Sequence, residues 1–359
     1  MQPHLGWHGA RVSFLALFLI AVFRVKTVNL AELATAFIGT AQSQSHYKRL
    51  QRFLGGFELD YYTIARFVVS LMAIPQPWVL SVDRTTWEFG ECVHNILMLG
   101  VVHNGVAFPL LWWMLDKKGN SNTHERIDLL QEFFEVFPEA QVEYLTADRE
   151  FVGHDWFEYL LEQAFVEFRI RIRESDKLDN GRQSLKAKVV FSHLNVGQQQ
   201  VLRHRRRVWG HWVYVSALRL EDGKLLIVVT HHRPHLAMTD YGKRWAIETL
   251  FGCLKSRGFC LEATHLKDSE RLSRMIALLT IALCWAFRTG EWLSQHQPIK
   301  IKKHGRKAQS IFRYGFDHLR RILRDQSALL EQGGLRIGQG EHRKRRWIPG
   351  VSARNPTCV

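Results

Sequence analysis

Two apolar runs, "NILMLGVV" (95–102) and "VAFPLLWWML" (106–115), are separated only by "HNG". Asn-Gly between apolar runs is the strongest short-range signal for a β-hairpin, because both central residues of a type I′ turn need positive φ. The neighbouring segments therefore have to fit around a sheet. Before the hairpin, the breaker "IPQP" (74–77) leads into "WVLSVD" (78–83), an apolar run ending in a carboxylate, as a buried strand would. After it come an amphipathic helix, "THERIDLLQEFFEVF" (123–137) with Thr123 as its expected cap, and a strand, "QVEYLTAD" (141–148), ending in a second acid. A helix, "WFEYLLEQAF" (156–165), and an alternating strand, "VEFRIRIR" (166–173), follow.

Three meandering strands, a helix, a strand, a helix and a strand make an α/β chain in the ribonuclease-H-like arrangement, a mixed sheet flanked by helices. Residues 175–233 interrupt it with "AKVVFSHL", "WVYVSALRL" and "KLLIVVTHH", all strand-like, and are read as a β-rich insertion subdomain. The expected organisation is a helical region at 1–75, core at 76–174, insertion at 175–233, core again at 234–299, a second helical region at 300–335 and a disordered basic tail at 336–359. The apolar run "FLALFLIAVF" (14–23) is too short to span a bilayer, which takes about 20 apolar residues, and reads as a buried helix. "SRMIALLTIALCWAF" (273–287) reads as an apolar helix packed on the core.

The second half of the core opens with "YGKRWAIETLFGCLK" (241–255). It reads as one helix behind an Asp240 cap, with Ile247, Leu250, Phe251 and Leu254 facing inward. At 100° per residue, Tyr241, Arg244, Glu248 and Lys255 fall within a wedge of roughly 60°. Taken alone, that face is equally a solvated helix surface with an i,i+4 ion pair.

A formal charge of +15 and a pI near 9.8 point to a polyanionic partner, nucleic acid before an anionic membrane. The cations cluster in "HYKRLQRF" (46–53), with Lys48, Arg49 and Arg52, and in "RHRRR" (203–207), "IKKHGRK" (301–307) and "HRKRR" (342–346). The five cysteines form no CxxC pair, which suits a reducing cytosol and excludes a zinc or disulfide framework. The "HH" at 231–232 lacks a second ligand pair and reads as loop histidine.

Within this basic chain, Asp83 and Asp148 end two strands expected to lie side by side, and Glu248 rides a helix expected to pack on the same sheet. Three converging carboxylates are hard oxygen ligands suited to Mg²⁺ or Mn²⁺. Two such ions about 4 Å apart would serve an in-line displacement at phosphorus.

With these residues in view, the sequence resembles a bacterial insertion-sequence transposase of the DDE superfamily, in the subgroup with the Y-(2)-R-(3)-E-(6)-K signature. Tyr241, Arg244, Glu248 and Lys255 match that spacing, "SVDRTTWEFG" matches the first-Asp region and "LTADREFVG" the second. The resemblance runs from about residue 10 to about 325 and includes the β-rich insertion. It implies that Asp83, Asp148 and Glu248 bind two metal ions per active site, Mg²⁺ with Mn²⁺ as substitute. Family members cut DNA at the element's ends and join the freed 3′-OH to the target, and close relatives pass through a hairpin on the transposon end. Arg244, Lys255 and Tyr241 would then hold phosphates, and Trp245 would contact flanking DNA or else lie in the core. Trp209 or Trp212 would hold a flipped base.

The implied partners are terminal inverted repeats and target DNA, bound by a homodimer on paired ends in the cytoplasm of a bacterium, at the nucleoid, without a membrane. The basic N-terminal bundle would hold one end. The stripe Ile311, Tyr314, Phe316, Leu319 and Leu323 would pack on a partner chain or on its own catalytic domain. Competing readings are a ribonuclease-H-like nuclease or resolvase without strand transfer, a purely DNA-binding descendant, and a membrane protein.

Overall fold

In the computed structural model, the Asn-Gly hairpin forms the edge of a single eleven-stranded sheet. The structure describes residues 5–338 other than 40, 91 and 304, with side chains as far as residue 324. β2 (Cys92–His103) and β3 (Val106–Leu115) pair antiparallel, and Asn104 and Gly105 have φ of 46° and 82°, as a type I′ turn requires. β1 (Trp78–Phe89) pairs antiparallel with β2 and, on its other edge, parallel with β4 (Val142–Ala147). β5 (Phe168–Ile172) continues parallel to β4. The order β3-β2-β1-β4-β5 is the mixed ribonuclease-H-like sheet. One strand end differs from expectation: β1 does not stop at Asp83 but runs on to Phe89, because its outer half stays paired with β2. What stops at Val82 is the parallel pairing with β4, which puts Asp83 at a fork between the two neighbours.

The insertion contributes β6 (Lys177–Asp179), β7 (Ser184–Lys186), β8 (Gln199–Val201), β9 (Arg206–Val208), β10 (His211–Arg219) and β11 (Leu225–Thr230). It is not a separate sheet. β11 pairs antiparallel with β5 through Ile227↔Ile172 and Val229↔Ile170, so the core sheet extends directly into the insertion. "AKVVFSHL", expected as a strand, instead begins with a helical turn at Ala187–Val190. Its buried residues, Ala187, Phe191 and Leu194, recur at steps of four and three, which is the helical period.

Helices α1 (Gly9–Val25), α2 (Leu30–Thr35), α3 (Ser43–Gly56) and α4 (Tyr61–Met72) precede the sheet. The apolar run at 14–23 lies inside α1, where Phe14, Leu15, Phe18, Leu19, Val22 and Phe23 are buried. α1 is welded to α3 by Phe14 stacked on Phe53, with centroids 4.2 Å apart. At its other end Phe23 meets Phe259, Trp285 and Phe316, so the N-terminal bundle shares its core with the catalytic half. α5 (Thr123–Val136) makes the crossover from β3 to β4. Its cap is Asn122, not Thr123. The Asn122 carboxamide accepts from the Glu125 backbone and the Glu125 carboxylate accepts from the Asn122 backbone.

α6 (His154–Glu158) leads by a π turn toward β5. α7 (Ala237–Tyr241) and α8 (Trp245–Leu254) follow β11. α9 (Ser269–His296) is long and apolar enough to cross a membrane, but most of its apolar stretch is buried inside this fold. α10 (Ile311–Gly338) crosses α9 where Gly290 faces Gly315. A Cβ on Gly315 would stand 1.9 Å from the Ala286 carbonyl oxygen, and one on Gly290 would stand 2.0 Å from the Ile311 carbonyl oxygen. The two glycines therefore allow a backbone-to-backbone crossing. Of the C-terminal stripe, Phe316, Leu319 and Leu323 are buried by their own chain, whereas Ile311 and Tyr314 are half-buried. Phe312, buried as deeply, belongs to the same face. The helix extends through Gly338, into the tail expected to be disordered, and residues 339–359 lie outside the described residues.

Candidate active site

The segment that opened the second half of the core is helical as far as Leu254, but not one regular helix. α7 ends at Tyr241, a 3-10 turn covers Gly242–Arg244, and α8 begins at Trp245. Asp240 is not its cap. The helix starts earlier, and the Asp240 carboxylate instead accepts from Arg169 Nε at 3.1 Å. Ile247, Leu250, Phe251 and Leu254 are all buried, as their spacing dictates. Burying that stripe against β1, β2 and β3 fixes the other face of the helix above the sheet.

Asp83 and Asp148 each lie one residue beyond the last parallel pair, Val82↔Ala147. Adjacent strands are about 4.8 Å apart, so the fork seats the two acids side by side on one face. Glu248 arrives from α8. A single nitrogen, Arg244 Nη1, lies 3.2 Å from Asp83 Oδ2 and 3.2 Å from Glu248 Oε1. The Tyr241 hydroxyl donates to Asp148 Oδ1 at 3.3 Å, and Arg171 Nη1 from β5 approaches the same oxygen at 3.7 Å. Tyr241, Arg244 and Glu248 thus meet the two aspartates. However, the tyrosine and the arginine grip the carboxylates instead of facing outward, and both are buried.

Lys255 departs further. It lies past the end of α8, with ψ of −132°, and its Nζ donates to the Thr86 carbonyl at 3.1 Å above the Trp87 ring. The four-residue wedge is therefore three residues around the acids and one cation farther along β1. Burial holds the Lys255 ammonium below its usual range.

Burial also pushes the Asp83 carboxyl up to about 7. The Arg84 backbone N–H, which donates to Oδ1 at 2.7 Å, and the Arg244 guanidinium pull it down, while Glu248 and Glu150 push it up. Burial raises the Tyr241 phenol as well, so it stays a hydrogen-bond donor. The Nε atoms of Arg244 and Arg171 are buried without a hydrogen-bond partner. Hard carboxylate oxygens converging from three elements, in a site that burial leaves short of positive charge, are a donor set suited to divalent ions. Asp83, Asp148 and Glu248 would hold them.

Residues 75–285, more than half of the chain, match the family described as "Transposase DDE domain". The chain belongs to the DDE transposase family. It is therefore a DNA-processing enzyme of a family that uses divalent metal ions and acts on DNA. The fold agrees with a solved transposase, described as "Cryo-EM structure of piggyBac transposase synaptic complex with hairpin DNA". The likeness covers 96% of this chain and 77% of that one at TM-score 0.51 and 13% sequence identity, and at that identity it concerns the fold. No curated protein matches by sequence.

The remaining expected residues of the transposase are spread over its surface. Trp245 is 63% exposed, which rules out the core alternative, and its ring lies 5.0 Å from the Arg244 guanidinium. Trp209 and Trp212 are both exposed on the insertion. Trp209 has φ of 50°, and its carbonyl is within 3.2 Å of His154 Nδ1. Trp212 joins Asn180, Arg182, His204, Arg205 and Arg206 around one basic groove. Lys48 and Arg52 line a second groove with Gln51, Gly55, Gly56 and Arg271. Arg49 is turned away from it. Its guanidinium lies 5.5 Å from the Phe14 ring and reaches the Ala10 carbonyl at 3.5 Å.

Sequence reasoning missed Arg171, Arg84, Glu150 and Arg271. Arg84 pairs with Glu150 at 3.3 Å just behind Asp83. The signal for Arg171 was present in "RIRIR", where arginine alternates with isoleucine beside a strand that ends in an acid.

Proposed function

We propose that Asp83, Asp148 and Glu248 are the metal-binding triad of this transposase, that Mg²⁺ or Mn²⁺ occupies it as two ions, and that the chain belongs to the Y-(2)-R-(3)-E-(6)-K subgroup. The observation that carries the reading is the convergence of Glu248 on the fork between β1 and β4 through Arg244. When bound there, the ions would supply the charge that activates the attacking oxygen and stabilises the leaving one.

The chain's own residues do the rest. Tyr241 and Arg171 orient Asp148, and the Arg84 backbone N–H orients Asp83. Arg244, with a planar fork suited to phosphate, lies beside the exposed face of Trp245, where a bent strand could be gripped. In this reading the reaction is cut-and-paste excision of an insertion sequence through a hairpin on the transposon end, followed by strand transfer. It is carried out by a homodimer on paired ends, on DNA in the bacterial cytoplasm. On α10, only Ile311 and Tyr314 of the expected stripe retain exposure for such pairing.

The deciding experiment supplies a pre-cut end with a free 3′-OH and scores joining to target DNA. Joined product supports strand transfer, and with it the transposase over the nuclease. Cleavage of intact ends without any joining would favour the alternative, a structure-specific nuclease.

The insertion is expected to act at the hairpin step. Trp209→Ala or Trp212→Ala leaves first-strand nicking near wild type and slows hairpin formation about tenfold, since base–aromatic stacking is worth about 1–3 kcal/mol. Hairpins formed at wild-type rate by both variants would remove these tryptophans from the step. The groove between α3 and α9 is expected to hold backbone phosphates. Lys48→Ala, Arg52→Ala and Arg271→Ala should each weaken binding to end DNA and reduce the salt slope by about one. Arg49→Ala should change the slope least, because that guanidinium faces Phe14. An unchanged slope in all three groove variants would put the DNA elsewhere.

A further inference from the structure

Arginine is an unexpected guest in a site that must receive divalent cations. Arg244 is 4% exposed, and one of its nitrogens is shared between carboxylates that come from different elements, Asp83 on β1 and Glu248 on α8. Arg171, from β5, approaches the third carboxylate, Asp148. Two guanidinium charges therefore lie against three carboxylates. A Mg²⁺ ion sits about 2.0–2.1 Å from its oxygens. An ion held by Asp83 and Glu248 would compete with Arg244 Nη1 for the same carboxylate charge. Two cations held by the same carboxylates repel strongly in a poorly solvated site.

We infer that Arg244, assisted by Arg171, is the internal counter-cation of this acidic site: it holds the carboxylates together in the metal-free protein and yields its place between Asp83 and Glu248 when a divalent ion binds. Three further observations support a movable guanidinium. Its Nε is buried without a partner, so the present position leaves hydrogen-bonding capacity unused. It is bracketed by two aromatic rings, Tyr241 at 5.8 Å and Trp245 at 5.0 Å. The Trp245 ring is 63% exposed, so sliding along it carries the charge toward the surface, where a DNA phosphate can take it up. Metal binding and phosphate binding would then favour each other, because the phosphate gives the displaced cation somewhere to go.

The inference rests on the triad reading, and the experiment separates the two. Mn²⁺ alone is titrated into the full-length, DNA-free protein, and free Mn²⁺ is followed by electron paramagnetic resonance. Arg244→Gln removes one neighbouring charge and should bind Mn²⁺ at least about tenfold more tightly than wild type, as expected for a unit charge a few ångströms away. Arg171→Gln should show a smaller gain. Arg244→Lys, which keeps the charge, should stay near wild type. Thermal melts should show Arg244→Gln below wild type without metal and recovering more than wild type when Mn²⁺ is added. If Arg244→Gln folds and its Mn²⁺ affinity is unchanged or weaker, the counter-cation role is overturned. If it does not fold alone, an unchanged affinity in Arg171→Gln overturns the role instead. Asp83→Asn and Glu248→Gln read the triad itself. If neither weakens Mn²⁺ binding, with or without end DNA, the triad reading fails whatever the arginine variants do.

Discussion

Asp83→Ala, Asp148→Ala and Glu248→Ala are each expected to reduce cleavage of transposon ends to background while leaving binding to end DNA nearly intact. The reason is a division of labour. Affinity for DNA rests mainly on phosphate contacts by Lys and Arg, whereas cleavage rests on the ions that these carboxylates would hold. The structure adds a ranking in stability that the chemistry alone would not predict. Asp83 is the buried partner of a buried arginine, with its side chain 12% exposed against 5% for Arg244. Removing Asp83 takes one of two carboxylate partners from a buried guanidinium and leaves Glu248 to compensate it, so the cost is about 1–3 kcal/mol. Glu248 is 43% exposed at its side chain, so water compensates for most of its loss and the cost falls below about 1 kcal/mol. Asp83→Ala should therefore melt well below Glu248→Ala although both are inactive. Asp83→Asn, which keeps the shape, is the cleaner test of chemistry. The measurements are strand cleavage on labelled ends, a binding isotherm and a thermal melt for each variant. Appreciable magnesium-dependent cleavage by Glu248→Ala would sink the triad assignment.

Gly315→Val is expected to destabilise the protein by about 3 kcal/mol or more and to detach α10 from α9. Even Gly315→Ala should destabilise. Replacing a helical glycine by alanine ordinarily gains about 1 kcal/mol of helix propensity. Here the new Cβ would stand 1.9 Å from a carbonyl oxygen of Ala286 and 2.4 Å from the Gly290 nitrogen, and both are backbone atoms that cannot rotate away. Overpacking costs about 1–3 kcal/mol even where side chains can adjust, so the clash wins. Gly290→Ala should behave alike, since its Cβ would meet the Ile311 carbonyl at 2.0 Å. Urea denaturation and limited proteolysis after residue 296 would check this. A Gly315→Val protein with an unchanged urea midpoint would show that the crossing is looser than described.

Much of this architecture could be read before any coordinates, because it depends on local chemistry. The Asn-Gly turn has to take positive φ at two successive residues, so β2 and β3 follow from their own letters. The apolar spacing of Ile247, Leu250, Phe251 and Leu254 determines the buried face of α8, and the spacing from Tyr241 to Glu248 puts phenol, guanidinium and carboxylate on one other face. The strand and helix order before residue 174 implies the mixed sheet, and with it the neighbouring positions of Asp83 and Asp148.

Other features depended on long-range pairing, which leaves no local mark. β1 continues past Asp83 only because β2 is there to pair with it. β11 joins the core sheet and not a separate insertion only because β5 offers a free edge. Thr123 and Asn122 are both good caps in isolation, and Glu125, reaching back, selects Asn122. Lys255 leaves its helical wedge because the chain turns at the end of α8 and the Thr86 carbonyl is within reach. The stripe on α10 was equally suited to a partner or to its own domain, and the glycine pair Gly290 and Gly315, 25 residues apart in sequence, is what lets Phe316, Leu319 and Leu323 pack on their own chain. The role of Arg244 depends on the same distinction. Its spacing from Glu248 is written in the sequence, but its shared nitrogen contact with Asp83 exists only once β1 and α8, separated by about 160 residues, are packed face to face.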